Sequence, residues 1–488
     1  MGGRSLRKNF LLNSAYQILQ AVTPLLTTPY LARVLGPDQN GVFSYTQSIT
    51  NYFVLFATLG MSIYGVRTIA LCGEDRKKRS QTFCEIYASQ LGVGLVVMLV
   101  YILYAATIHK GGTVIAALWG LWVLYAATDV SWLLFGCEEF KIPTIRSFAT
   151  KIIMIVTVFF FVHDENDLWV YVMAVSGSYF LNAASLWPFM KNYIDFAKPK
   201  PSEVWKHLKA SARLFVPVIA VSIYTTLDKI MLGSLSSSDQ VAFFDYSEKI
   251  SRLPLNVVTA LGTVMLPRMS QTLQYGDRKE GLSLLKTAVW IMLATAIALA
   301  AGIAAVAPVF VPVFFGKGYE ACIGLMRVLV VIIPVISMTN VIGKQYLLPS
   351  SRDGEYTLSL VIGAIVNVVF NLITIPLLGA MGAAIGTVLA ELSILVTQSI
   401  MVREELPLLS YFKGAIPFLC IGIIMSAAIR VFAPRMLRAR GISLLTLLAE
   451  VVVGAIVYLG ISIVWCLATK DVQFRRLFGK YLPRKTRS

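Results

Sequence analysis

Apolar runs long enough to cross a lipid bilayer recur along the whole chain of 488 residues. A membrane-spanning helix needs about 20 consecutive, mostly apolar residues. The length of the runs therefore predicts an all-α integral membrane protein with about 14 transmembrane helices. The predicted spans cover residues 9–34, 41–70, 82–108, 113–136, 142–162, 168–190, 212–233, 242–270, 284–315, 321–345, 355–377, 380–402, 414–432 and 443–467.

The composition agrees with a membrane protein and excludes an ordinary soluble domain. Hydrophobic residues make up 57% of the chain and charged residues only 14%. In a soluble protein, the net charge of +17 would point to nucleic acid as a partner. In a membrane protein, basic residues collect in cytoplasmic loops and hold the topology. We therefore predict the lipid bilayer as a partner and no nucleic acid.

The distribution of Lys and Arg orients the predicted spans. If both termini are cytoplasmic, 31 of the 43 basic residues fall on cytoplasmic segments and their flanks, 7 on the outer side and 5 inside spans. An excess of this kind is typical of cytoplasmic loops, so we predict a multi-pass protein with both termini in the cytoplasm. The outer loop at 433–442 breaks the rule, because it carries three arginines.

The chain contains two similar halves. Residues 38–49 read DQNGVFSYTQSI and residues 239–250 read DQVAFFDYSEKI, at a constant offset of 201 residues. The repeat predicts two six-helix lobes around a central cavity, as in transporters built from parallel repeats. The predicted domains are an N-terminal lobe at 1–190, a cytoplasmic linker at 191–211, a C-terminal lobe at 212–402, and two additional helices with a basic cytoplasmic tail at 403–488.

Span 8 carries an unusual cluster of charges. Asp245, Glu248, Lys249 and Arg252 lie within eight residues and within an arc of about 100° on one helix face. Facing lipid, the four would cost on the order of 10 kcal/mol by simple summation, so they must face protein or water. Each has an opposite charge three or four residues away, which neutralises part of the charge within the helix.

Two interpretations of these charges stay open. Span 7 adds Asp228 and Lys229 at nearly the same depth. In one interpretation, these two residues and the acids of span 8 form buried ion pairs that fasten spans 7 and 8, or that couple transport to an ion. In the other, Lys249 and Arg252 face a polar cavity and bind an anionic headgroup. Phosphate and pyrophosphate bind Arg through a bidentate fork and Lys as a point charge.

Helix-breaking and small residues also occur inside the spans. Pro24 and Pro29 remove helix hydrogen bonds in span 1, so they form either a gating hinge or a static kink. Arg67, near the inner end of span 2, is expected to anchor that end at the interface. Gly382 and Gly386 are expected to permit close helix packing.

Catalytic and metal-binding patterns are missing from the sequence. The three histidines lie apart, the six cysteines lack metal-type spacing, and no phosphate-cradling GxxxxGK[ST] loop occurs. The outer loops are too short to fold into a catalytic domain. We expect no catalytic residue, no metal and no cofactor, and therefore a transporter rather than an enzyme.

Four stretches carry a family resemblance. They are PYLARVLGPDQNGVFSY at 29–45, DVSWLLFGCEEFK at 129–141, LDKIMLGSLSSSDQVAFFDYSEKI at 227–250 and NVIGKQYLLPSSRDGEYTLSLVIGAIVNVVFNLITIPLLGAMGAAIGTVLAE at 340–391. In order and spacing they resemble the polysaccharide repeat-unit flippases of the multidrug/oligosaccharidyl-lipid/polysaccharide exporter superfamily. The resemblance implies a protein of the bacterial cytoplasmic (inner) membrane that works by alternating access. It implies translocation of polyprenyl-pyrophosphate-linked oligosaccharide to the outer leaflet for capsule, exopolysaccharide or O-antigen synthesis.

The same resemblance implies site residues, partners and an energy source. Relatives in the superfamily hold the diphosphate with cations on spans 1, 2, 7 and 8, which by position implies Arg33, Arg67, Lys249 and Arg252. The implied protein partners are a polysaccharide polymerase and chain-length machinery. The implied coupling is to the membrane potential, worth about 2.3 kcal/mol per charge per 100 mV, or to proton or sodium exchange.

Three alternatives stay open beside this function. A drug/cation antiporter of the same fold would need a net acidic cavity, whereas the acids of span 8 are matched by bases. A peptidoglycan lipid II flippase is also fourteen-helical, but the stretches at 129–141 and 340–391 favour the repeat-unit flippases. A membrane glycosyltransferase or polymerase would need a sizeable outer loop with catalytic groups.

Overall fold

A computed structural model describes residues 3–107, 112–275 and 278–478, and within these ranges the chain is almost entirely helical and contains no β-strand. By their mutual contacts, the helices divide into two compact units, Met1–Ala242 and Phe243–Ser488. This architecture confirms the predicted all-α class.

The first unit contains nine helices among the described residues. They are α1 (Gly3–Thr58), α2 (Met61–Ala70), α3 (Arg76–Thr107), α4 (Thr113–Thr128), α5 (Ser131–Gly136), α6 (Lys141–Phe161), α7 (Leu168–Ala184), α8 (Trp187–Met190) and α9 (Pro201–Leu235).

The second unit contains the rest of the described helices. They are α10 (Ser238–Tyr275), whose first turn lies before the unit boundary, α11 (Arg278–Phe314), α12 (Ala321–Leu329), α13 (Ile332–Asn340) with the π-helical continuation Val341–Leu347, α14 (Asp353–Leu378), α15 (Ala380–Met401), α16 (Leu408–Arg440), α17 (Leu444–Ala468) and α18 (Val472–Phe478).

Each of the fourteen predicted spans coincides with one helix or with two helices in series. Within the described residues, ten helical runs are long and apolar enough to cross a membrane, and the first, Val22–Ala70, contains predicted span 2 and the second half of predicted span 1. Predicted span 6 coincides with α7 and α8, and predicted spans 7 and 8 coincide with α9 and α10. The predicted outer loop at 433–442 is wrong in extent, because the backbone of α16 stays helical to Arg440.

The bend between spans 1 and 2 lies at Gly36. This residue interrupts α1 with φ 69° and ψ 176°, whereas Pro24 and Pro29 lie inside the helical part of α1. A positive φ strains most L-residues but costs glycine little, so glycine suits this break. Pro24 and Pro29 do not mark the bend in this conformation, and their gating role stays a prediction.

A second break divides predicted span 2, which the sequence analysis treated as one helix. Leu59 and Gly60 adopt φ values of 39° and 73° and separate α1 from α2. A Cβ atom on Gly60 would lie only 2.8 Å from the carbonyl oxygen of Ser211 in α9. The close approach of α9 and the positive φ both favour glycine, and neither can be seen from the hydropathy of the span.

The predicted linker at 191–211 is only partly a linker, because α9 begins at Pro201 and puts the proline in the first turn, where it fits a helix. The non-helical part is tied to the start of α3. The guanidinium group of Arg76 donates to Asp195 at 2.8 Å, and Arg79 donates to the carbonyl oxygen of Tyr193 at 3.0 Å. The hydrogen bond from Arg76 holds the pKa of the Asp195 carboxyl below its usual value.

Helix α9 packs along the second part of α1. The Tyr52 hydroxyl donates to the carbonyl oxygen of Ser222 at 3.1 Å, and the rings of Phe56 and Phe215 have centroids 5.3 Å apart. These contacts explain why α9 groups with the first unit, although the repeat assigns span 7 to the second lobe. The domain boundaries drawn from the repeat stay a prediction.

One helix start in each half is separated from the other by the same 201 residues as the sequence repeat. Helix α10 begins at Ser238, which is 201 residues after Pro37, the residue that follows the break at Gly36. The agreement supports an internal repeat.

Glycines bring α14 and α15 into close contact. A Cβ atom on Gly382 would lie 2.2 Å from the carbonyl oxygen of Thr374, and one on Gly386 would lie 2.0 Å from the side-chain oxygen of Asn371. The predicted role of both glycines in close helix packing is confirmed.

Leucine in place of Gly382 is expected to destabilise the protein by about 1–3 kcal/mol or more, the usual cost of overpacking. The clash is with backbone atoms of Thr374, which cannot move away by a rotamer change. The matched control is Gly460→Leu, because a Cβ atom on Gly460 would meet nothing within 4 Å. Thermal unfolding in detergent measures both, and equal melting temperatures for the two variants would contradict the expectation.

Candidate functional site

The charge cluster of α10 consists of two ion pairs, each spanning one helical turn. The ammonium group of Lys249 donates to Asp245 at 2.5 Å, and the guanidinium group of Arg252 donates to Glu248 at 2.8 Å. In both pairs the acid precedes the base by four residues, which is the favourable order on a helix. The predicted pairing within the helix is confirmed.

The two pairs share an orientation that the sequence does not reveal. The side chains of Asp245 and Glu248 are only 2% and 5% exposed, whereas those of Lys249 and Arg252 are 42% and 27% exposed. The carboxylates therefore lie beneath the cations. A solute that reaches this face of α10 meets positive charge first.

Glu391 on α15 belongs to the same cluster, although it was not among the predicted site residues. Its carboxylate lies 3.9 Å from the guanidinium group of Arg252, and its side chain is 7% exposed. Glu391 is the single charged residue of predicted span 12, a signal that the sequence did contain. With it, the cluster (Asp245, Glu248, Lys249, Arg252 and Glu391) holds three carboxylates and two cations.

Aromatic side chains pack beside the first ion pair. The ammonium group of Lys249 lies 5.6 Å from the centroid of the Tyr246 ring, a cation–π distance. Tyr246 in turn stacks on Phe315 and Tyr319, at centroid distances of 5.3 Å and 5.6 Å. Because the Tyr246 side chain is buried, this packing holds the first turns of α10 and the ammonium group in place.

The remaining predicted site residues lie in the first unit. Asp228 on α9 is buried and Lys229 is half-buried, while Arg33 on α1 and Arg67 on α2 are exposed. Exposure of Arg67 near the end of α2 agrees with its interpretation as an interfacial anchor. A joint site of these residues with the cluster on α10 stays a prediction.

A second polar cluster, in the first unit, was not predicted. The imidazole of His207 on α9 lies 3.5 Å from the carboxylate of Glu85 on α3 and 2.7 Å from the hydroxyl of Tyr64 on α2. Gln81 also donates to Glu85, at 2.6 Å. The two contacts of His207 join α9 to α2 and α3, and they were not predicted because the partners lie more than a hundred residues apart in the sequence.

The second unit contains a further ion-pair network that the sequence analysis missed. Arg352 donates to both oxygens of Glu405 at 2.9 Å and to Glu355 at 2.7 Å, and Tyr346 donates to Glu405 at 2.5 Å. The network ties the turn before α14 to the end of α15. The hydrogen bond from Arg352 to Glu355 raises the pKa of the Arg352 guanidinium group.

Other features of the described residues carry little chemistry. They contain no group of three or more His, Cys, Asp and Glu that could hold a metal. A groove of about 690 Å³ between α11, α13 and α16 is lined almost entirely by apolar side chains, with Ser426 and Arg430 at its edge. The cluster on α10 and α15 is therefore the candidate functional site.

Comparison with known proteins gives a consistent family and fold. A model of the family described as polysaccharide biosynthesis protein matches residues 6–273. A "Putative O-antigen transporter" of Escherichia coli (strain K12) is 23% identical over 409 residues, which cover 82% of this chain and 97% of that protein. A protein of the same name from Shigella dysenteriae is 22% identical over 402 residues, covering 80% and 98%.

Two solved structures share the fold. The lipid II flippase MurJ in an inward closed conformation has a TM-score of 0.75 at 14% identity, covering 95% of this chain and 100% of that chain. An inward-facing multidrug resistance MATE family transporter of the MOP superfamily has a TM-score of 0.60 at 16% identity, covering 79% and 94%. At these identities the likeness shows the fold alone, which is that of MOP superfamily transporters.

Proposed function

The chain belongs to the polysaccharide biosynthesis protein family, and from this premise we propose that it is a flippase for lipid-linked oligosaccharide. It moves polyprenyl-pyrophosphate-linked repeat units from the cytoplasmic to the outer leaflet of the bacterial inner membrane, by alternating access, for capsule, exopolysaccharide or O-antigen synthesis. The family match over residues 6–273 is the observation that carries the proposal. The names of the relatives and the transporter fold support it.

The diphosphate binds at Lys249 and Arg252 in this proposal. Both cations are the exposed members of their ion pairs, so an anion can approach them without displacing the carboxylates beneath. Arg252 offers a planar fork for phosphate oxygens, and Lys249 offers a point charge. Asp245 and Glu248 hold the cations in position while the site is empty.

Arg33 and Arg67 are the further diphosphate-binding residues of the proposal. Both side chains are exposed, which leaves them accessible to a headgroup. Moving a diphosphate through a low-dielectric region is costly, and cations along the route lower the barrier.

The membrane potential, or exchange of protons or sodium, supplies the energy for translocation in this proposal. Both termini lie in the cytoplasm. A polysaccharide polymerase and chain-length machinery receive the product.

Reconstitution tests the proposed function directly. The purified protein is placed in liposomes that contain a fluorescent polyprenyl-pyrophosphate oligosaccharide, and exchange between leaflets is followed by quenching of the outer-leaflet label. We expect exchange well above the rate in protein-free liposomes. A lipid II analogue in parallel liposomes separates this function from that of a peptidoglycan flippase. Absence of exchange with several glycans would contradict the proposal.

One observation favours a second candidate, a drug/cation antiporter of the same fold. The described ion-pair cluster contains three carboxylates against two cations once Glu391 is counted, and a net acidic site suits a cationic drug. The burial of the carboxylates argues for the flippase, because a ligand meets the cations first. Efflux of a cationic dye from the same liposomes decides between the two, since only an antiporter moves the dye.

A further inference from the structure

A carboxyl group lies buried in predicted span 14, away from the cluster on α10. Glu450 on α17 is 3% exposed, and neither of its carboxylate oxygens has a hydrogen-bond partner. It lies six residues into the helix, about 9 Å from the first residue along the axis. It lies within a helix of 25 residues that is long and apolar enough to cross a membrane.

Helix α17 itself offers Glu450 no donor. The buried face of α17 carries Thr446, Glu450, Gly454 and Tyr458 at four-residue intervals. The hydroxyl of Thr446 donates to the carbonyl oxygen of Gly441 at 2.9 Å, and that of Tyr458 donates to a carbonyl oxygen of α11 at 2.7 Å. Both hydroxyl protons are therefore committed elsewhere.

The helices packed against α17 are α11 and α16, and their described ionisable side chains form no bond to Glu450. On α11 the one such residue is Lys286, and on α16 they are Tyr411, Lys413, Cys420 and Arg430.

Arg430 is the described cation of α16 that lies closest in sequence to the contact with α17, and it does not face α17. Ile429 faces α17, because a Cβ atom on Gly454 would lie 2.9 Å from its side chain. Arg430, the next residue, is exposed and lines the groove between α11, α13 and α16. The side chains of the arginines at 435, 438 and 440 lie outside the described residues.

An ionised carboxylate in this position would be buried without a cation or a donor, which is among the costliest arrangements in a protein. The protonated acid removes the charge and leaves two neutral groups, a hydroxyl and a carbonyl oxygen, without hydrogen-bond partners. A metal cation is a poor alternative, because hard cations need several oxygen ligands and the described residues contain no group of three or more His, Cys, Asp and Glu that could hold one.

From this geometry we propose that Glu450 is a proton-binding site, occupied by a proton in the conformation described. The ligand is H⁺, and the neutral carboxylic acid is the form that packs between α17 and its neighbours. This inference does not depend on the identity of any transported substrate.

Infrared spectroscopy of the full-length protein in lipid bilayers tests the protonation state. The spectrum of Glu450→Gln is subtracted from that of the wild type at neutral pH. We expect the difference to contain the C=O stretch of one protonated carboxylic acid, shifted in D₂O. The matched control is Glu404→Gln, because the Glu404 side chain is 84% exposed beside Arg403, and its difference spectrum should contain only bands of an ionised carboxylate.

Loss of carboxylate bands in Glu450→Gln would overturn the proposal, since it would mean that Glu450 is ionised, for instance by pairing with an arginine beyond Pro434. Thermal unfolding gives a second measurement. Glutamine has nearly the shape of a neutral carboxylic acid, so we expect an unchanged melting temperature. A marked fall would show that a charge had been removed from a pair, and would also overturn the proposal.

A role for this proton in transport rests on the proposed function and is tested separately. If one proton moves per cycle, a gradient of about one pH unit, acidic outside, should change accumulation of the lipid-linked oligosaccharide about tenfold. Glu450→Gln should lose that dependence. Equal dependence in both proteins would remove the coupling role alone, whereas no exchange by the wild type would count against the flippase and leave the infrared result standing.

Discussion

Neutral replacement of both ion pairs on α10 is expected to reduce leaflet exchange by about 10²–10⁴-fold while the chain stays folded. The variant carries Asp245→Asn, Glu248→Gln, Lys249→Gln and Arg252→Gln together with Glu391→Gln, so that no carboxylate of the cluster is left buried without its cation. Each cation is expected to contribute about 1.5–3 kcal/mol through hydrogen bonds to the charged diphosphate, and losing both gives the stated range.

The control for this experiment keeps the cations. A variant with only Asp245→Asn and Glu248→Gln retains Lys249 and Arg252 and should still exchange the substrate. Equal loss in both variants would mean that the pairs serve the fold rather than the diphosphate. Unchanged exchange in the fully neutral variant would remove α10 from the binding site. Size-exclusion chromatography and thermal unfolding establish that both variants are folded before rates are compared.

Removal of Arg252 alone is expected to destabilise the protein by about 3 kcal/mol, the low end of the range for breaking a buried pair. The loss comes from two carboxylates, since Glu248 and Glu391 are 5% and 7% exposed and both lose Arg252, the cation that each contacts in the cluster. Adding Glu248→Gln to Arg252→Gln should recover part of the loss, because one of the two charges disappears. Thermal or denaturant unfolding of the single and double variants measures the difference.

Arg403→Gln is the matched control for the same measurement. Arg403 lies 3.5 Å from Glu404, but the two side chains are 71% and 84% exposed. Exposed pairs contribute about 0–1 kcal/mol, so this variant should unfold near the wild-type midpoint. A stability loss as large as that of Arg252→Gln, or no rescue by the second substitution, would contradict burial as the cause.

Local features of the sequence predicted much of this protein correctly. The number and position of the spans follow from hydropathy, because each span must match the bilayer by its own composition. The pairs Asp245–Lys249 and Glu248–Arg252 follow from helix geometry, because residues four apart lie on the same face. The packing role of Gly382 and Gly386 follows from their small size.

Features that depend on distant parts of the chain were missed or misplaced. The break at Gly60 reflects the approach of α9 at Ser211, some 150 residues later in the chain. The bonds among Tyr64, Glu85 and His207 join three helices whose order in the sequence gives no hint of contact. Glu391 was visible as the single charge of its span, but only the packing of α10 and α15 gives it a partner.

The sequence by itself determined the all-α membrane class, the spans and the charge pairs of α10, since all three depend on interactions within one helix or between a helix and the bilayer. Only the tertiary structure decided which members of those pairs are exposed, which helix adds a third carboxylate, and whether the single carboxyl group of α17 is buried without a donor. Neighbouring helices determine which side chains are buried and which residues they contact. No local sequence pattern identifies those neighbouring helices.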